Sequence, residues 1–100
     1  MNQDWEVLSF DFAGFEWDDE KAESNQRKHG VGLEEATAIF EADVVARHET
    51  HETEDRYVAI GIAWNKTLVV VFTQRRNNIR IISARKATPS ERRRHGAHFG

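Results

Sequence analysis

The apolar run at residues 68–72 constrains the fold most, because a strand without polar alternation is buried on both faces of a sheet. Residues 57–64 alternate instead between apolar and polar side chains, which predicts a second strand. Asn65-Lys66 separates the two segments and supplies a turn, so they should pair as an antiparallel hairpin. Two further strands are predicted at residues 44–49 and 79–84, and residues 77–78 form the turn that precedes the second of them.

Two helices are predicted before these strands and one after them. Asp18 suits the N-cap and Gly30 the C′ position of a helix over residues 19–29. Residues 32–41 follow, with apolar side chains at the spacing of a core-facing helical stripe. Thr88-Pro89-Ser90-Glu91 has the pattern of a capping box with proline at the first helical position, which predicts a short third helix.

An aromatic stretch precedes the first helix. Its rings recur at roughly alternate positions, which predicts one short strand through Phe10, Phe12, Phe15 and Trp17. The order of all these elements predicts a single α+β domain over residues 1–100. In that domain two N-terminal helices and a short C-terminal helix accompany a small antiparallel sheet.

Charge is distributed very unevenly along the chain. Residues 1–60 contain sixteen Asp and Glu against five Lys and Arg, a formal net charge of −11. Residues 61–100 contain nine Lys and Arg against one acid, Glu91, a formal net charge of +8. Clustered arginines bind phosphates and a basic field attracts polyanions, so the sequence predicts a nucleic-acid or phosphate-bearing partner.

Composition excludes several classes of site. The chain has no cysteine, which removes disulfides, thiolate zinc sites and cysteine nucleophiles. It has no P-loop, no glycine-rich dinucleotide turn and no serine nucleophile elbow. No apolar run approaches the length of a membrane span, and the N-terminus lacks the pattern of a secretory signal. We therefore expect a cytoplasmic protein that does not contact a membrane.

The predicted first helix carries an unusual polar cluster. Ala22 is the only aliphatic residue between positions 19 and 29, so the helix has almost no apolar stripe with which to dock. Helical spacing gathers four polar side chains on one face, namely Lys21, Asn25, Lys28 and His29. A polar face that core packing does not explain is a candidate binding surface.

A second cluster surrounds the last predicted strand and comprises Arg75, Arg76, Arg80, Ser83, Arg85 and Lys86. In a regular strand Arg80 and Arg85 point to opposite faces, so they share one groove only if the strand bends, bulges or ends between them. For any single arginine, a position along a sheet edge that blocks aggregation is about as good an explanation. For the set as a whole, a polyanion site is the better explanation.

RNA cleavage without a metal ion needs a group to remove the 2′-hydroxyl proton, charge stabilisation at phosphorus and protonation of the leaving 5′ oxygen. Arginine and lysine supply the second of these, and histidine, lysine or glutamate can supply the others. His29 is the preferred histidine because it lies beside Lys28 on the helix with little apolar surface. The other histidines form two pairs spaced three apart, His48 with His51 and His95 with His98. Neither pair has a third ligand at a known spacing, so we predict no metal and no cofactor.

Two ordered blocks of the sequence resemble the BrnT-type toxin family. The first runs from Phe15-Glu16-Trp17-Asp18 through Lys21, Asn25 and Lys28-His29-Gly30-Val31 to Glu34-Glu35-Ala36. The second is Arg80-Ile81-Ile82-Ser83-Ala84-Arg85 with Glu91-Arg92-Arg93. The resemblance covers about residues 10–95. It implies a RelE-like fold and a ribonuclease toxin of a type II toxin–antitoxin pair. It also implies a BrnA-type antitoxin that represses their shared operon, with toxin and antitoxin dimerising into a larger complex.

The leading hypothesis is a metal-independent endoribonuclease that inhibits translation and growth and that its antitoxin neutralises. We assign proton transfer to His29, beside Lys28, and the phosphate to Arg80 and Arg85. Residues expected to contact RNA around them are Lys21, Asn25, Arg75, Arg76, Ser83, Lys86, Arg92, Arg93 and Arg94. The alternative is a catalytically inactive co-repressor that reaches operator DNA only through the antitoxin. Direct DNA binding ranks below both, because no helix-turn-helix is visible.

The sequence departs from the family pattern at two places. The family often carries an aromatic residue, commonly tyrosine, just after the basic run of the last helix, where this chain has His95. Residues 1–9 precede the usual start of the family and are expected to be either an N-terminal extension or the result of a mispredicted start codon.

Overall fold

A mixed sheet is the frame of the fold in the computed structural model, which describes residues 4–99. Within that range the sheet has six strands, namely β1 (Glu6–Leu8), β2 (Gly14–Glu16), β3 (Val44–Thr50), β4 (Asp55–Ala63), β5 (Lys66–Arg75) and β6 (Asn78–Lys86). Their order is β1-β3-β4-β5-β6-β2, and all neighbours are antiparallel except β2 and β6. The predicted α+β class is confirmed. The predicted small, wholly antiparallel sheet is wrong, because short strands from the N-terminal segment extend both edges.

The helices largely follow the sequence prediction. Between residues 4 and 99 they are α1 (Asp19–His29), α2 (Leu33–Ala36) and α3 (Pro89–Phe99), and α2 continues into a 3₁₀ helix at Thr37–Glu41. Asp18 caps α1 by accepting hydrogen bonds from two backbone N–H groups, and Gly30 ends it in the left-handed conformation with φ 68°. None of the helices in residues 4–99 is long and apolar enough to cross a membrane.

The second predicted helix is the one that departs from expectation. Residues 32–41 were expected to form one α-helix, but only the first turn is α-helical and the rest winds more tightly. The hydroxyl of Thr37 donates to the carbonyl of Glu34 at 2.7 Å, three residues back, where the tighter winding begins. The 3₁₀ helix then lies very close to β4. A Cβ on Gly61 would stand 2.7 Å from the Cβ of Ile39, so glycine is needed at this contact.

The two faces of the sheet bury different clusters. The larger cluster lies on what we call the first face, where the 3₁₀ helix and α2 pack on Val44, Ala46, Ala59, Leu68, Val70, Phe72, Ile79, Ile81 and Ala84. The smaller cluster lies on the second face and comprises Val58, Ile60, Val69 and Ala87, with Trp5 and Val71 packed against it. Helix α3 contacts β3 and β4. The second face therefore has its own small core beneath α3.

The single strand predicted through the N-terminal aromatic residues is wrong. β1 and β2 lie at opposite edges of the sheet, and the chain crosses from one edge to the other between them. Along that crossing Phe10 packs edge-on against Phe72 and Tyr57, each at 5.1 Å between ring centroids. Phe15, in β2, lies 5.8 Å from Phe40 of the 3₁₀ helix. The aromatic spacing thus reflects partly buried rings that pack against the first-face core rather than one paired strand.

Both hairpin turns lie one residue earlier than predicted. Ala63 pairs with Lys66, and Arg75 pairs with Asn78, so Lys66 and Asn78 belong to strands rather than to turns. The turns are therefore the two-residue loops at positions 64–65 and 76–77. Trp64 has φ 57° in the first loop, and Arg76 and Asn77 have φ 52° and 71° in the second. Two-residue hairpin loops need such positive φ values, which asparagine accepts more easily than tryptophan or arginine.

Candidate functional site

An irregularity in β6 brings the two key arginines to one face of the sheet. Val71 of β5 pairs with Ser83, but the next residue, Phe72, pairs with Ile81. Ile82 is therefore an extra residue in β6, and the alternation of side chains shifts by one position there. Ile81 and Ala84 both point into the first-face core.

On either side of the bulge, the neighbours of these core residues point the other way. Arg80, Ser83 and Arg85 consequently share the second face. The sequence allowed a common groove for Arg80 and Arg85 only if β6 bent, bulged or ended between them, and the structure meets that condition. We call these three residues the arginine face.

Glu16, on the edge strand β2, is the carboxylate partner of Arg80. Its Oε1 accepts a hydrogen bond from Arg80 Nη1 at 3.1 Å, and its Oε2 accepts one from Asn78 Nδ2 at 3.2 Å. Arg75 lies 3.8 Å away and adds an ion pair. The hydrogen bond from Asn78 and then that from Arg80 hold the pKa of the Glu16 carboxyl below its usual range. A negative charge therefore lies at the margin of the arginine face.

Glu91, in the first turn of α3, is the carboxylate partner of Arg85. Arg85 donates from Nη1 and Nη2 to Oε1 and Oε2 of Glu91, at 2.7 and 2.8 Å. Glu91 Oε1 also accepts the backbone N–H of Thr88, and Thr88 Oγ1 accepts the N–H of Glu91. The predicted capping box is confirmed. The hydrogen bonds between Arg85 and Glu91 are the largest cause of two pKa shifts. They lower the pKa of Glu91 to about 2, and they raise the pKa of Arg85.

The remaining predicted cations of β5 and β6 lie at the ends of these two strands. Arg75 is exposed at the end of β5, within ion-pair distance of Glu16, and Arg76 is exposed in the turn that follows. These two side chains extend the positive charge of the arginine face. Lys86 is exposed at the end of β6, but it pairs with Leu68 of the first-face core and so lies on the opposite face from Arg85.

The three arginines of α3 have different environments. Arg92 is held near the start of the helix, because its Nη1 donates to the carbonyl of Ala87 at 3.1 Å. Arg94 stacks its guanidinium 5.2 Å from the ring of Trp5, whose ring also lies 5.1 Å from the guanidinium of Arg47. Arg93 is exposed. The basic run therefore combines exposed charge with contacts that hold α3 in place.

Helix α1 docks through an amide rather than through apolar residues. Asn25 is 5% exposed, and its Nδ2 donates to the carbonyls of Val31 and Ala84, both at 2.8 Å. Its Oδ1 accepts the N–H of Ala84 at 3.1 Å. These bonds satisfy backbone groups of β6 beyond the reach of β2, which pairs only with Asn78–Arg80. The amide of Asn25 is therefore buried and bonded to the backbone, and its assignment to RNA contact stays a prediction.

The other predicted residues of α1, namely Lys21, Lys28 and His29, are exposed. The helix they occupy lies along the edge of β6, and its residue Ala22 packs against the first-face core. Arg80 and Arg85 point to the second face of β6, and a common site with the α1 cluster stays a prediction. The assignment of Lys28 and His29 to the reaction stays a prediction.

The profile of one protein family, the ribonuclease toxin BrnT of type II toxin–antitoxin systems, matches residues 17–91. The chain belongs to the BrnT toxin family. The 1.1 Å crystal structure of the Brucella abortus ribonuclease toxin BrnT matches it with a TM-score of 0.58 and 23% identity, covering 75% of this chain and 96% of that chain. At this identity the match shows a shared fold. A comparison with curated proteins finds no match.

The BrnT profile covers β6 and the α3 cap, but segments outside it complete the structure. Trp5 and β1 precede the matched residues, and Arg94 follows them. Residues 1–9 were expected to be an extension, of which 1–3 lie outside the described residues. Within the rest, β1 pairs with β3 and Trp5 packs beneath α3. The N-terminal segment around Trp5 and helix α3 therefore meet on the second face.

His95, at the position where the resemblance implies an aromatic residue, lines a small pocket beside the middle of α3. The pocket has a volume of about 350 Å³ and is lined by Ala42, Asp43, Ile62, His95 and Phe99. Burial, and to a smaller extent the neighbouring His98, lowers the pKa of His95. Its ring centroid lies 4.7 Å from that of Phe99.

The histidine pairs that were weighed as metal ligands lie apart from the arginine face. His48 Nε2 lies 3.3 Å from Asp55, and His98 Nδ1 lies 3.0 Å from the carbonyl of Arg94. Among residues 4–99 there is no group of three or more histidine and carboxylate side chains with the arrangement of a metal site.

Sequence reasoning missed the two carboxylates of the site. Glu91 was assigned only a capping role, although an acid six residues after Arg85 and in the first turn of the next helix can reach back to it. Glu16 was used only as part of the family motif. Its partnership with Arg80 depends on the parallel pairing of β2 with β6, which joins residues 64 positions apart and leaves no local signal.

Proposed function

We propose that this chain is an endoribonuclease toxin that cleaves RNA without a metal ion and thereby inhibits translation and growth. The single observation that carries the proposal is the arginine face, where a bulge in β6 places Arg80, Ser83 and Arg85 together. Two guanidinium groups on one surface can bind neighbouring phosphates or two oxygens of the same phosphate. Membership of the BrnT family supports RNA as the polyanion.

The arginines would act by electrostatics on the phosphate that is cleaved. Negative charge grows on its oxygens as the 2′ oxygen attacks, and preorganised guanidinium groups stabilise that charge more than they stabilise the ground state. Arg75 and Arg76 extend the positive surface beyond Arg80, and Arg93 adds exposed charge on α3. These three would hold the flanking phosphates of the strand, and their contribution should weaken with salt.

The biological setting is part of the same proposal. A BrnA-type antitoxin would neutralise the toxin in the cytoplasm, and the two proteins would dimerise into a larger complex that reaches operator DNA through the antitoxin. The fold would be of the RelE-like type. An antitoxin that covers the arginine face would block cleavage directly, since RNA and antitoxin would compete for the same cations.

Expression of the chain without its antitoxin tests this proposal. We expect growth arrest and fragmented RNA, and we expect the purified protein to keep cutting RNA when EDTA is present. Activity that disappears with EDTA and returns with a divalent cation would contradict the metal-independent mechanism. Harmless expression of the folded protein would contradict the toxin function as a whole.

One observation favours a catalytically inactive co-repressor as the second candidate. Both terminal nitrogens of Arg85 are occupied by Glu91, and Arg80 is engaged by Glu16. A chain whose phosphate ligands are permanently neutralised would bind its antitoxin without cutting RNA. Repression of the operon by antitoxin and toxin together, with harmless expression of the toxin alone, would support this second function.

A further inference from the structure

The arginine face needs a proton acceptor, and the structure offers two carboxylates beside it. Glu91 is heavily engaged, because Arg85 binds both of its oxygens and the N–H of Thr88 binds Oε1 as well. Glu16 accepts one hydrogen bond on each oxygen, from Arg80 and from Asn78. A carboxylate has about four acceptor sites, so Glu16 keeps room for a further donor. Its side chain is 31% exposed, against 23% for Glu91.

Glu16 also has the right position relative to Arg80. The two residues are register partners across the parallel pairing of β2 and β6, and Glu16 Oε1 lies 3.1 Å from Arg80 Nη1. In RNA the 2′-hydroxyl is the neighbour of the phosphate that it attacks. A phosphate bound by Arg80 therefore brings a 2′-hydroxyl close to the Glu16 carboxylate.

We propose that Glu16 is the general base of the cleavage reaction, a role that rests on the proposed ribonuclease function. The 2′-hydroxyl proton passes to a carboxylate oxygen of Glu16 while the 2′ oxygen bonds to phosphorus and the bond from phosphorus to the 5′ oxygen breaks. The electron pair of that bond stays on the 5′ oxygen, which takes a proton from a solvent water molecule. Glu16 returns its proton to the solvent, and the products are a 2′,3′-cyclic phosphate and a 5′-hydroxyl.

The charges around Glu16 suit this role. The groups that face it are Arg80 and Asn78 from β6 and Arg75 from β5, and they hold its pKa below the usual range. Glu16 is therefore deprotonated and ready to accept a proton throughout the neutral range. A base with a low pKa gives a weak driving force for proton transfer, so the step depends on the arginines that stabilise charge on the phosphate.

The experiment compares Glu16→Gln with the native chain on one RNA oligonucleotide. Glutamine keeps an oxygen that can accept from Arg80 but cannot take a proton. We expect kcat to fall by about 100-fold or more, the usual contribution of a general base. The affinity for the same oligonucleotide with a 2′-O-methyl group at the cleavage site should stay the same or increase. Glu23→Gln removes an exposed carboxylate of α1 and is the matched control, with kcat close to native.

A pH profile supplies the second readout. In the native chain the rate should fall in acid, where Glu16 becomes protonated, and this fall should be absent in Glu16→Gln. Asn78→Ala removes the hydrogen bond that lowers the pKa of Glu16 most, so it should move the fall to higher pH. A role limited to positioning Arg80 would not produce this shift.

Four results would overturn the proposal while leaving a ribonuclease. The first is a native kcat in Glu16→Gln, and the second is a loss of oligonucleotide affinity in that variant as large as its loss of rate. The third is a fall of the rate in acid that Asn78→Ala does not move to higher pH. The fourth is an inactive His29→Ala variant together with an active Glu16→Gln variant. A native chain that is folded but cleaves no RNA would instead overturn the proposed function, and the general base with it.

Discussion

Arg85 and Glu91 form a bidentate ion pair, with donor–acceptor distances of 2.7 and 2.8 Å. The pair joins the end of β6 to the first turn of α3. Because Glu91 also accepts the backbone N–H of Thr88, one carboxylate both caps the helix and holds the guanidinium on the arginine face. The stability of α3 and the position of Arg85 are therefore linked.

Glu91→Ala should lower the free energy of unfolding by about 1–2 kcal/mol. Loss of a helix cap costs about 1 kcal/mol, and a partly exposed ion pair adds at most about 1 kcal/mol. Glu91→Gln is the control, because glutamine can still accept the Thr88 N–H, and its loss should be smaller. Urea unfolding of the two variants measures both values. Native stability in Glu91→Ala would contradict the linkage.

The contribution of Glu91 should also depend on pH. Its pKa is lowered to about 2 in the folded chain, from an ordinary value of 4.5. A carboxyl with a lowered pKa stabilises the fold above its unfolded pKa, and this contribution is lost as the pH falls toward the folded value. The difference in unfolding free energy between the native chain and Glu91→Gln should therefore be full near about pH 6 and shrink between about pH 5 and 2. A difference that stays constant over that range would contradict the ion pair.

The local features of this fold were predictable from the sequence, whereas its long-range pairings were not. The caps of α1 and α3 depend on residues within a few positions of each helix end, so Asp18, Gly30 and Thr88 identified them. The edge strands β1 and β2 have three residues each and pair with strands far along the chain. Such short segments carry no periodicity that could reveal their partners.

Asn25→Ala should destabilise the fold by at least about 2 kcal/mol, because it leaves buried backbone groups of Val31 and Ala84 without partners. Lys28→Ala, on the exposed surface of the same helix, should change stability by no more than about 0.5 kcal/mol. Chemical unfolding monitored by circular dichroism compares them. Equal stability of the two variants would mean that α1 does not dock through its amide.

Trp5→Ala should loosen α3 by removing the ring that lies against Arg94 and packs on the second-face core. A half-buried tryptophan should contribute about 2 kcal/mol, which is roughly half the cost of truncating a fully buried one. Hydrogen exchange should accelerate in α3 more than in β4 or β5. Val7→Ala, in the neighbouring strand β1, is the control and should leave α3 protected. Unchanged exchange in Trp5→Ala would contradict this contact.

The candidate site was predictable in its residue types but not in its geometry. Charge clustering singled out Arg80 and Arg85, and the bulge at Ile82 places them on one face. The polar face of α1 suggested an RNA surface because the helix has almost no apolar stripe. The structure shows that Asn25 of this face is a docking amide, which an isolated sequence cannot distinguish from an exposed one.

The most direct test of the arginine face is the rate of RNA cleavage by Arg80→Ala and Arg85→Ala, with Arg27→Ala on α1 as the matched control. We predict that each of the first two lowers kcat/KM by about 100-fold or more, the usual loss when one electrostatic donor to the transition state is removed. Because both act on one site, the double variant should lose less than the product of the two. Arg27→Ala should cleave at close to the native rate. Native rates in folded Arg80→Ala and Arg85→Ala would contradict the account.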